Sequence, residues 1–302
     1  MEYDYPEPAL VYQCGDCKHI FTAGTLTPEQ LTDMYTNYYP RSDFHVEDYQ
    51  PFHEKNGFLY WFDGEEGHAY RHVPKNVRVL DIGCGYCETL GYHQARGCEA
   101  YGAEADENVG KIAERYGLHV DIGLFDSAKY SPDFFDYVTL DAVLSQIVDP
   151  LQFLKDVNIV LKPGGKFVAV FPNPKALGRF FFGEYWTEWH LPYIRHIYSR
   201  HSIEILAEQS GYEMEKMKSA SESSMLLKNW AAYVYLKYMK RVMGEKCPPV
   251  SCNGDELHND MKNSLPGKLF LFLKKIRFFS LSMRLADLFG MGHTNVLILR
   301  KK

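Results

Sequence analysis

Between positions 77 and 173 the chain alternates short apolar runs with amphipathic segments. The apolar runs are VRVLDIG, CEAYGAEAD, LHVDIGLF, FFDYVTLD and KFVAVFPN, and they predict five buried strands. The segments between them include ETLGYHQARG, ENVGKIAERYG and DPLQFLKDVNIVL, whose apolar residues recur at helical spacing. Because strands that alternate with helices form right-handed βαβ units, we expect a parallel sheet covered by helices on both faces.

The flanking segments continue this pattern with less regularity. SRHSIEILAEQSGY predicts a further helix, and EMEKMKSA and HTNVLILRKK predict two further strands. A long insertion at about 222–290 separates those two strands and carries apolar helical patterns near 225–242 and 265–289. Before the sheet, Thr27 caps a predicted helix that begins at Pro28, and 51–75 predicts another helix.

Composition and charge narrow the class of protein. Hydrophobic residues make up 46% of the 302 positions, which is enough for a large core, and the net charge of −6 gives no basic face for nucleic acid. The acidic start lacks the apolar run of a signal peptide, and no run of about 18 apolar residues predicts a spanning helix. Seven cysteines then indicate reduced thiols, so we expect a cytoplasmic protein.

The loop after the first core strand, VLDIGCGYCETL, indicates the kind of ligand. Gly83 and Gly85 precede a helix, where backbone N–H groups meet polar ligands, but Glu88 replaces the third glycine of a dinucleotide loop. Asp81 before the glycines would repel a pyrophosphate and suits a cationic group. Glu104 ends the second strand, where an acceptor for ribose hydroxyls belongs. These residues favour a nucleoside with a cationic tail and argue against an NAD-linked oxidoreductase.

Residues 77–215 resemble the core of the class I S-adenosylmethionine-dependent methyltransferases. The resemblance rests on VLDIGCGYCETL, AYGAEAD, GLFDS, the run from FFDYVTLD to KFVAVFPN, and SIEILAEQSGYE, in that order. It implies S-adenosylmethionine as the cofactor, held by Asp81, Gly83, Gly85, Glu104, Ala105, Leu124, Phe125, Asp141, Leu144 and Gln146. Two departures matter. Cys87 replaces the small residue that usually follows Gly85, a sterically mild change, and Ser145-Gln146 stands where many relatives have Glu-His, which removes a common histidine from the methyl group.

The same resemblance implies the architecture. We expect a Rossmann-like, seven-stranded, mostly parallel sheet with an antiparallel last strand, helices on both faces and a helical insertion before the last strand. We divide the chain into a head, 1–50, and a methyltransferase domain, 51–302.

Two cysteine pairs call for separate interpretations. Cys84 and Cys87 lie in the glycine loop without other ligands nearby in the sequence, so we interpret them as buried thiols. Cys14-x-x-Cys17-x-His19 resembles the second half of a zinc ribbon found ahead of some methyltransferases, but the earlier cysteine pair of that ribbon is missing. Cys247 and Cys252 are the remaining spaced pair. We favour a half-ribbon without bound metal.

The acceptor is predicted to meet the loop between the fifth strand and the next helix, which is rich in aromatic residues. Long loops at the carboxyl edge of a sheet bind substrates, and aromatic faces suit a sugar ring. His190 is the first candidate for the base that takes the proton of an acceptor hydroxyl, and His196 is the second. From the head, Tyr38, Tyr39 and Arg41 are candidates to close over the site.

We therefore expect methyl transfer to a small molecule, first to a hydroxyl of a sugar or glycan precursor in polysaccharide biosynthesis. A quinone or other lipid-like ring hydroxyl is the second candidate, and a non-catalytic partner protein with the methyltransferase fold is the third. The apolar faces of the predicted late helices are candidates for two further interactions, a peripheral membrane contact and a homodimer contact.

Overall fold

The computed structural model of the protein describes residues 10–24, 26–38, 46–54, 57–222 and 278–302, together with positions 225, 229, 230, 233 and 237. The head begins with two short antiparallel strands, β1 (Val11–Gln13) and β2 (Ile20–Thr22). Helix α1 (Pro28–Asp33) follows, and Thr27 and Gln30 form the reciprocal hydrogen bonds of a capping box at its start. The predicted helix start at Thr27 is confirmed.

Seven strands form the central sheet, as the sequence predicts. They are β3 (Arg78–Ile82), β4 (Glu99–Glu104), β5 (His119–Ile122), β6 (Phe135–Asp141), β7 (Leu161–Pro172), β9 (Tyr212–Ala220) and β10 (Thr294–Lys301). Their order is β5-β4-β3-β6-β7-β10-β9, and β10 is antiparallel to both β7 and β9. The other neighbours pair in parallel, so the carboxyl ends of β3, β4, β5 and β6 lie along one edge.

Helices connect the strands and cover the sheet. They are α2 (Phe58–Asp63), α3 (Glu88–Gln94), α4 (Gly110–Tyr116), α5 (Pro150–Val160), α6 (Leu177–Phe182), α7 (Arg200–Gln209) and α8 (Phe278–Leu288). Two of them begin with side-chain caps, Asp149 before α5 and Ser199 before α7. None of the helices in the described ranges is long and apolar enough to cross a membrane.

The core forms on both faces of the sheet because the inner strands carry buried apolar residues that face both sides. On one face α5 and α7 pack over β6 and β7 through Leu154, Val157, Ile203, Phe167 and Phe171. On the other, a second cluster includes Val79, Leu90, Ala100, Val109 and Ile112. Strands buried on both faces are typical of a parallel sheet between two helical layers.

The segment 51–75 differs from the single helix predicted for it. Helix α2 ends at Gly64, whose φ of +90° is left-handed and whose added Cβ would lie 1.8 Å from the Ser221 carbonyl oxygen. Only glycine fits such a position. Two short 3₁₀ turns, Glu65–Gly67 and Ala69–His72, then lead the chain to β3.

The head is attached to the body through shared strands. β8 (His196–Ile197), which belongs to the long connection after β7, pairs with β2 and completes a three-stranded sheet. Ile20 is buried with Trp186, Ile194 and Ile197 of that connection. Tyr39, Arg41, Cys247 and Cys252, and most of the two predicted late helices, lie outside the described residues; of Tyr38 only the backbone is described.

Candidate functional site

A cavity of about 740 Å³ lies at the carboxyl edge of the sheet. Eight of the ten residues predicted to hold the cofactor line it: Gly83, Gly85, Glu104, Ala105, Leu124, Phe125, Asp141 and Gln146. Its size falls in the range of roughly 300–1,000 Å³ that is usual for small-molecule sites. The cavity therefore occupies the place where open α/β sheets bind ligands.

The glycine loop after β3 has the backbone that its sequence predicts. Gly83 has a φ of +74°, and an added Cβ would lie 2.4 Å from the side chain of Val143, so a larger residue is excluded there. Gly85 has a φ of +53°, and an added Cβ would meet nothing within 4 Å. Because Gly85 also lines the cavity, its backbone borders space that a ligand can occupy.

Glu104 is held at the end of β4 by two backbone amides. Its carboxylate accepts hydrogen bonds from Gly85 N–H at 2.8 Å and from Asp106 N–H at 3.0 Å, and the residue is 5% exposed. Each carboxylate oxygen accepts more than one hydrogen bond, so this fixed group retains the capacity to accept from a ribose diol. The geometry fits the predicted role.

Asp81 lies beneath the loop and outside the cavity wall. Its carboxylate accepts hydrogen bonds from Thr139 Oγ1 on β6, at 2.7 Å, and from Thr89 Oγ1 on α3. Burial raises the pKa of Asp81 to about 6, and the two threonine hydroxyls offset part of that shift. Asp81 thus connects β3 to α3 and β6 by hydrogen bonds below the loop, and its carboxylate does not line the cavity. Leu144 is likewise a fully buried core residue outside the wall.

The charges around the cavity all have one sign. Five carboxylate residues line it: Glu88, Glu104, Asp141, Asp149 and Asp156. No lysine, arginine or histidine is among its lining residues in the described ranges. Such a wall favours a ligand with a cationic group and disfavours a pyrophosphate.

Apolar side chains complete the cavity on two sides. Leu124 and Phe125 follow β5, and the ring of Phe125 meets that of Phe153 on α5 edge to face at 5.6 Å. Leu26 and Leu31 of the head also line the cavity. Both groups present apolar surface to the cavity, as flat-ring ligands require.

At the end of β6, two polar pairs border the same cavity. Tyr35 of the head donates a hydrogen bond to Gln146 Oε1 at 2.5 Å, and Gln146 Nε2 donates to the Ala142 carbonyl at 2.8 Å. Asp141 Oδ2 accepts from His68 Nδ1 at 3.2 Å. Gln146 thus occupies the position of the missing histidine and has its own fixed partners. Sequence analysis missed His68 and Tyr35, which precede the sheet in segments without regular periodicity.

The two predicted bases lie elsewhere. His190 packs its ring against Tyr193 at 4.9 Å, and burial lowers the pKa of His190. His196 is on β8, and its Nδ1 lies 3.0 Å from Nε2 of His19. Neither histidine lines the cavity. The connection after β7 turns back to pack against the head, and this placement argues against either histidine as the base.

The cysteine pairs are separate from the cavity. Cys84 and Cys87 are buried under the glycine loop with their sulfur atoms 3.9 Å apart. In the head, the Cys14 N–H donates to the His19 carbonyl at 2.8 Å and closes the turn that carries Cys17. No group of three or more metal-ligating side chains is found in the described ranges. Zinc binding at this half-ribbon stays untested.

Comparison with known proteins identifies the family. A family model described as a methyltransferase domain matches residues 53–217, more than half of the chain. A demethylmenaquinone methyltransferase of Staphylococcus haemolyticus is 34% identical over 107 residues, 33% of this chain and 45% of that protein. A ubiquinone biosynthesis O-methyltransferase of Cereibacter sphaeroides is 33% identical over 135 residues, 42% of this chain and 54% of that protein. The chain thus spans about half the length of these curated relatives.

Among solved structures, phosphoethanolamine N-methyltransferase 2 of Haemonchus contortus, in complex with S-adenosyl-L-methionine, has a TM-score of 0.51 and 16% identity. The similarity covers 93% of this chain and 62% of that one, and it supports the fold alone. Taken with the sheet order and the family match, it confirms the fold class that the sequence predicts. The chain belongs to the class I methyltransferase family, whose cofactor is S-adenosylmethionine.

Proposed function

We propose that this chain transfers a methyl group from S-adenosylmethionine to a hydroxyl of a small, largely apolar ring compound. The observation that carries the proposal is the cavity at the strand ends, whose wall has five acidic residues that include the fixed Glu104 carboxylate. When bound, this cofactor supplies an electrophilic methyl group on a cationic sulfur. A negative wall favours that charge.

The loop residues have distinct proposed roles. Glu104 accepts from the ribose hydroxyls, and the backbone at Gly83 and Gly85 borders the methionine portion. Leu124 and Phe125 flank the adenine. Asp81 acts from below, by holding the strand and helix that present the loop.

The acceptor side of the cavity favours an apolar ring over a sugar. Its wall includes Leu26, Leu31, Tyr35, Ile147 and Val148. The aromatic connection expected to hold a sugar contributes no residue to the cavity wall in the described ranges, because Trp186 and Tyr193 are buried against the head. A relative named as a ubiquinone biosynthesis O-methyltransferase agrees with a ring hydroxyl.

The test is methyl transfer to a simple ring hydroxyl. We would incubate the purified protein with S-adenosylmethionine carrying a deuterated methyl group and with catechol, and follow both products by mass spectrometry. The proposal predicts labelled methyl catechol and S-adenosylhomocysteine in equal amounts. Cofactor binding without turnover on catechol or on other ring hydroxyls would favour the non-catalytic partner protein instead.

A further inference from the structure

Helix α8 presents an apolar stripe to solvent. Its large exposed residues recur at helical spacing and are Leu281, Leu285, Leu288 and, directly after the helix, Phe289. The last two are 80% and 78% exposed. Met283 and Ala286, on the other side of the helix, are buried. The stripe is therefore the side of α8 that does not pack against the body.

Helix α2 extends this apolar surface. The two helices are in contact, because Ser280 Oγ donates to Asp63 Oδ1 at 3.1 Å and Arg284 Nη1 donates to the Trp61 carbonyl at 3.3 Å. The large exposed residues of α2 are Phe58, Leu59 and Trp61. We call these three residues and the stripe on α8 the apolar face. A group of exposed apolar residues of this kind marks a contact with a partner or with lipid.

The sequence directly before α8 is basic. Residues 261–277 contain four lysines, one arginine and no acidic residue. This segment lies outside the described residues, but it is joined covalently to Phe278, where α8 begins. The whole chain has a net charge of −6, so the excess of positive charge is local. Lysine and arginine beside exposed leucine and aromatic residues are typical of segments that lie on anionic membranes.

Acidic residues near the apolar face have partners of their own. Asp63 accepts from Ser280, and Asp287 pairs with Arg284 at 2.9 Å. Glu66, which follows α2, lies 3.5 Å from the ammonium group of Lys218. These contacts reduce the repulsion that such carboxylates would exert on an anionic surface.

We propose that the apolar face docks on the surface of a bilayer that contains anionic lipid. Its leucine and aromatic side chains enter the boundary between headgroups and acyl chains, while the basic segment before α8 attracts the headgroups. A second copy of the chain fits less well. In a symmetric dimer the same face of both copies meets, which brings the two basic segments toward each other. The inference does not depend on which acceptor is methylated.

The experiment measures flotation of the full chain with lipid vesicles. One set contains phosphatidylcholine mixed with phosphatidylglycerol, and the other contains phosphatidylcholine alone. The proposal predicts binding to the mixed vesicles that is about tenfold tighter or more, because each basic residue near an anionic surface contributes to the attraction. Added salt should weaken this binding, because salt screens exposed charges.

Variants test the apolar face directly. The double variant Leu288→Ser, Phe289→Ser should bind the mixed vesicles about tenfold more weakly or worse, with the melting temperature of the wild type because both side chains are exposed. Phe58→Ser, on α2, should weaken binding independently. The control is the double variant Ile159→Ser, Ile205→Ser, which changes exposed residues of α5 and α7 and should bind as the wild type does.

The other outcomes contradict the proposal. A wild type that floats with neither kind of vesicle would overturn it, as would a Leu288→Ser, Phe289→Ser protein that binds as tightly as the wild type. Equal flotation with both kinds of vesicle would exclude the proposed attraction to anionic lipid. Sedimentation velocity tests the rival occupant: a wild-type dimer that becomes a monomer in the same double variant, without flotation, would assign the apolar face to a second copy.

Discussion

Glu104 gives the sharpest prediction at the level of a single residue. Glu104→Gln keeps the size of the side chain but removes the charge that accepts from two backbone amides and, in the proposed function, from the ribose diol. Hydrogen bonds to a charged group contribute about 1.5–3 kcal/mol, so the affinity for S-adenosylmethionine should fall by about tenfold or more. Isothermal titration calorimetry measures this directly.

The matched control lies on the same strand. Glu99 starts β4 at the opposite end from the cavity, and its exposed carboxylate pairs with Arg78 at 2.7 Å. Glu99→Gln should leave cofactor affinity as it is in the wild type. An equal loss of cofactor affinity in both variants would mean that a change in the strand, and not the loss of the Glu104 carboxylate, weakens binding.

Helix α1 gives a prediction at the level of the element. Leu31 is its buried residue, lines the cavity, and packs with Leu26, Met34 and Tyr193. Leu31→Ala should raise KM for catechol while cofactor affinity stays nearly unchanged, because in the proposed function Leu31 belongs to the acceptor wall. It should also lower the free energy of unfolding by about 2 kcal/mol or more.

Ile159→Ala is the comparison for that experiment, since Ile159 is 47% exposed on α5. Its KM for catechol should match the wild type. A Leu31→Ala protein with unchanged KM for catechol would show that the head does not form the acceptor wall.

The contact of β2 with β8 predicts that the stability of the head depends on pH. Burial and the neighbouring His196 lower the pKa of His19 to about 4, and burial lowers the pKa of His196 as well. The unfolded chain takes up a proton at the ordinary histidine pKa of about 6.5, so between pH 6.5 and 4 it binds more protons than the folded head. The contribution of these uncharged histidines to the stability of the head should therefore be present above pH 6.5 and be lost as pH falls toward 4.

Thermal unfolding of the wild type and of His196→Gln across that range is the measurement. The variant has one histidine fewer to charge at the interface, so its melting temperature should fall less steeply below pH 6.5. If the melting temperatures of the two proteins fall in parallel as pH falls, the loss of stability in acid arises elsewhere in the molecule.

On the scale of the whole molecule, the sequence predicted the sheet and the cofactor edge because both follow from local patterns. Residues such as Gly83 and Glu104 come directly after buried strands, and parallel topology brings strand ends together. That Asp81 holds the methionine end of the cofactor stays a prediction, whereas the hydrogen bond to its carboxylate from Thr139 on the neighbouring β6 could not be predicted. That contact spans 58 positions and leaves no local signal.

The acceptor side was less predictable for the same physical reason. His190 and His196 lie in a long connection whose direction depends on the pairing of β8 with β2, a contact between distant parts of the chain. His68 lies just before a short turn in a segment predicted as one helix, and its contact with Asp141 spans 73 positions. The division into a head and a methyltransferase domain stays a prediction.

The most direct test of the central claim is calorimetric titration of the purified protein with S-adenosylmethionine and, separately, with NAD. The acidic cavity and the fixed Glu104 predict micromolar binding of S-adenosylmethionine and none of NAD. Binding of NAD alone, or of neither compound, would contradict the account.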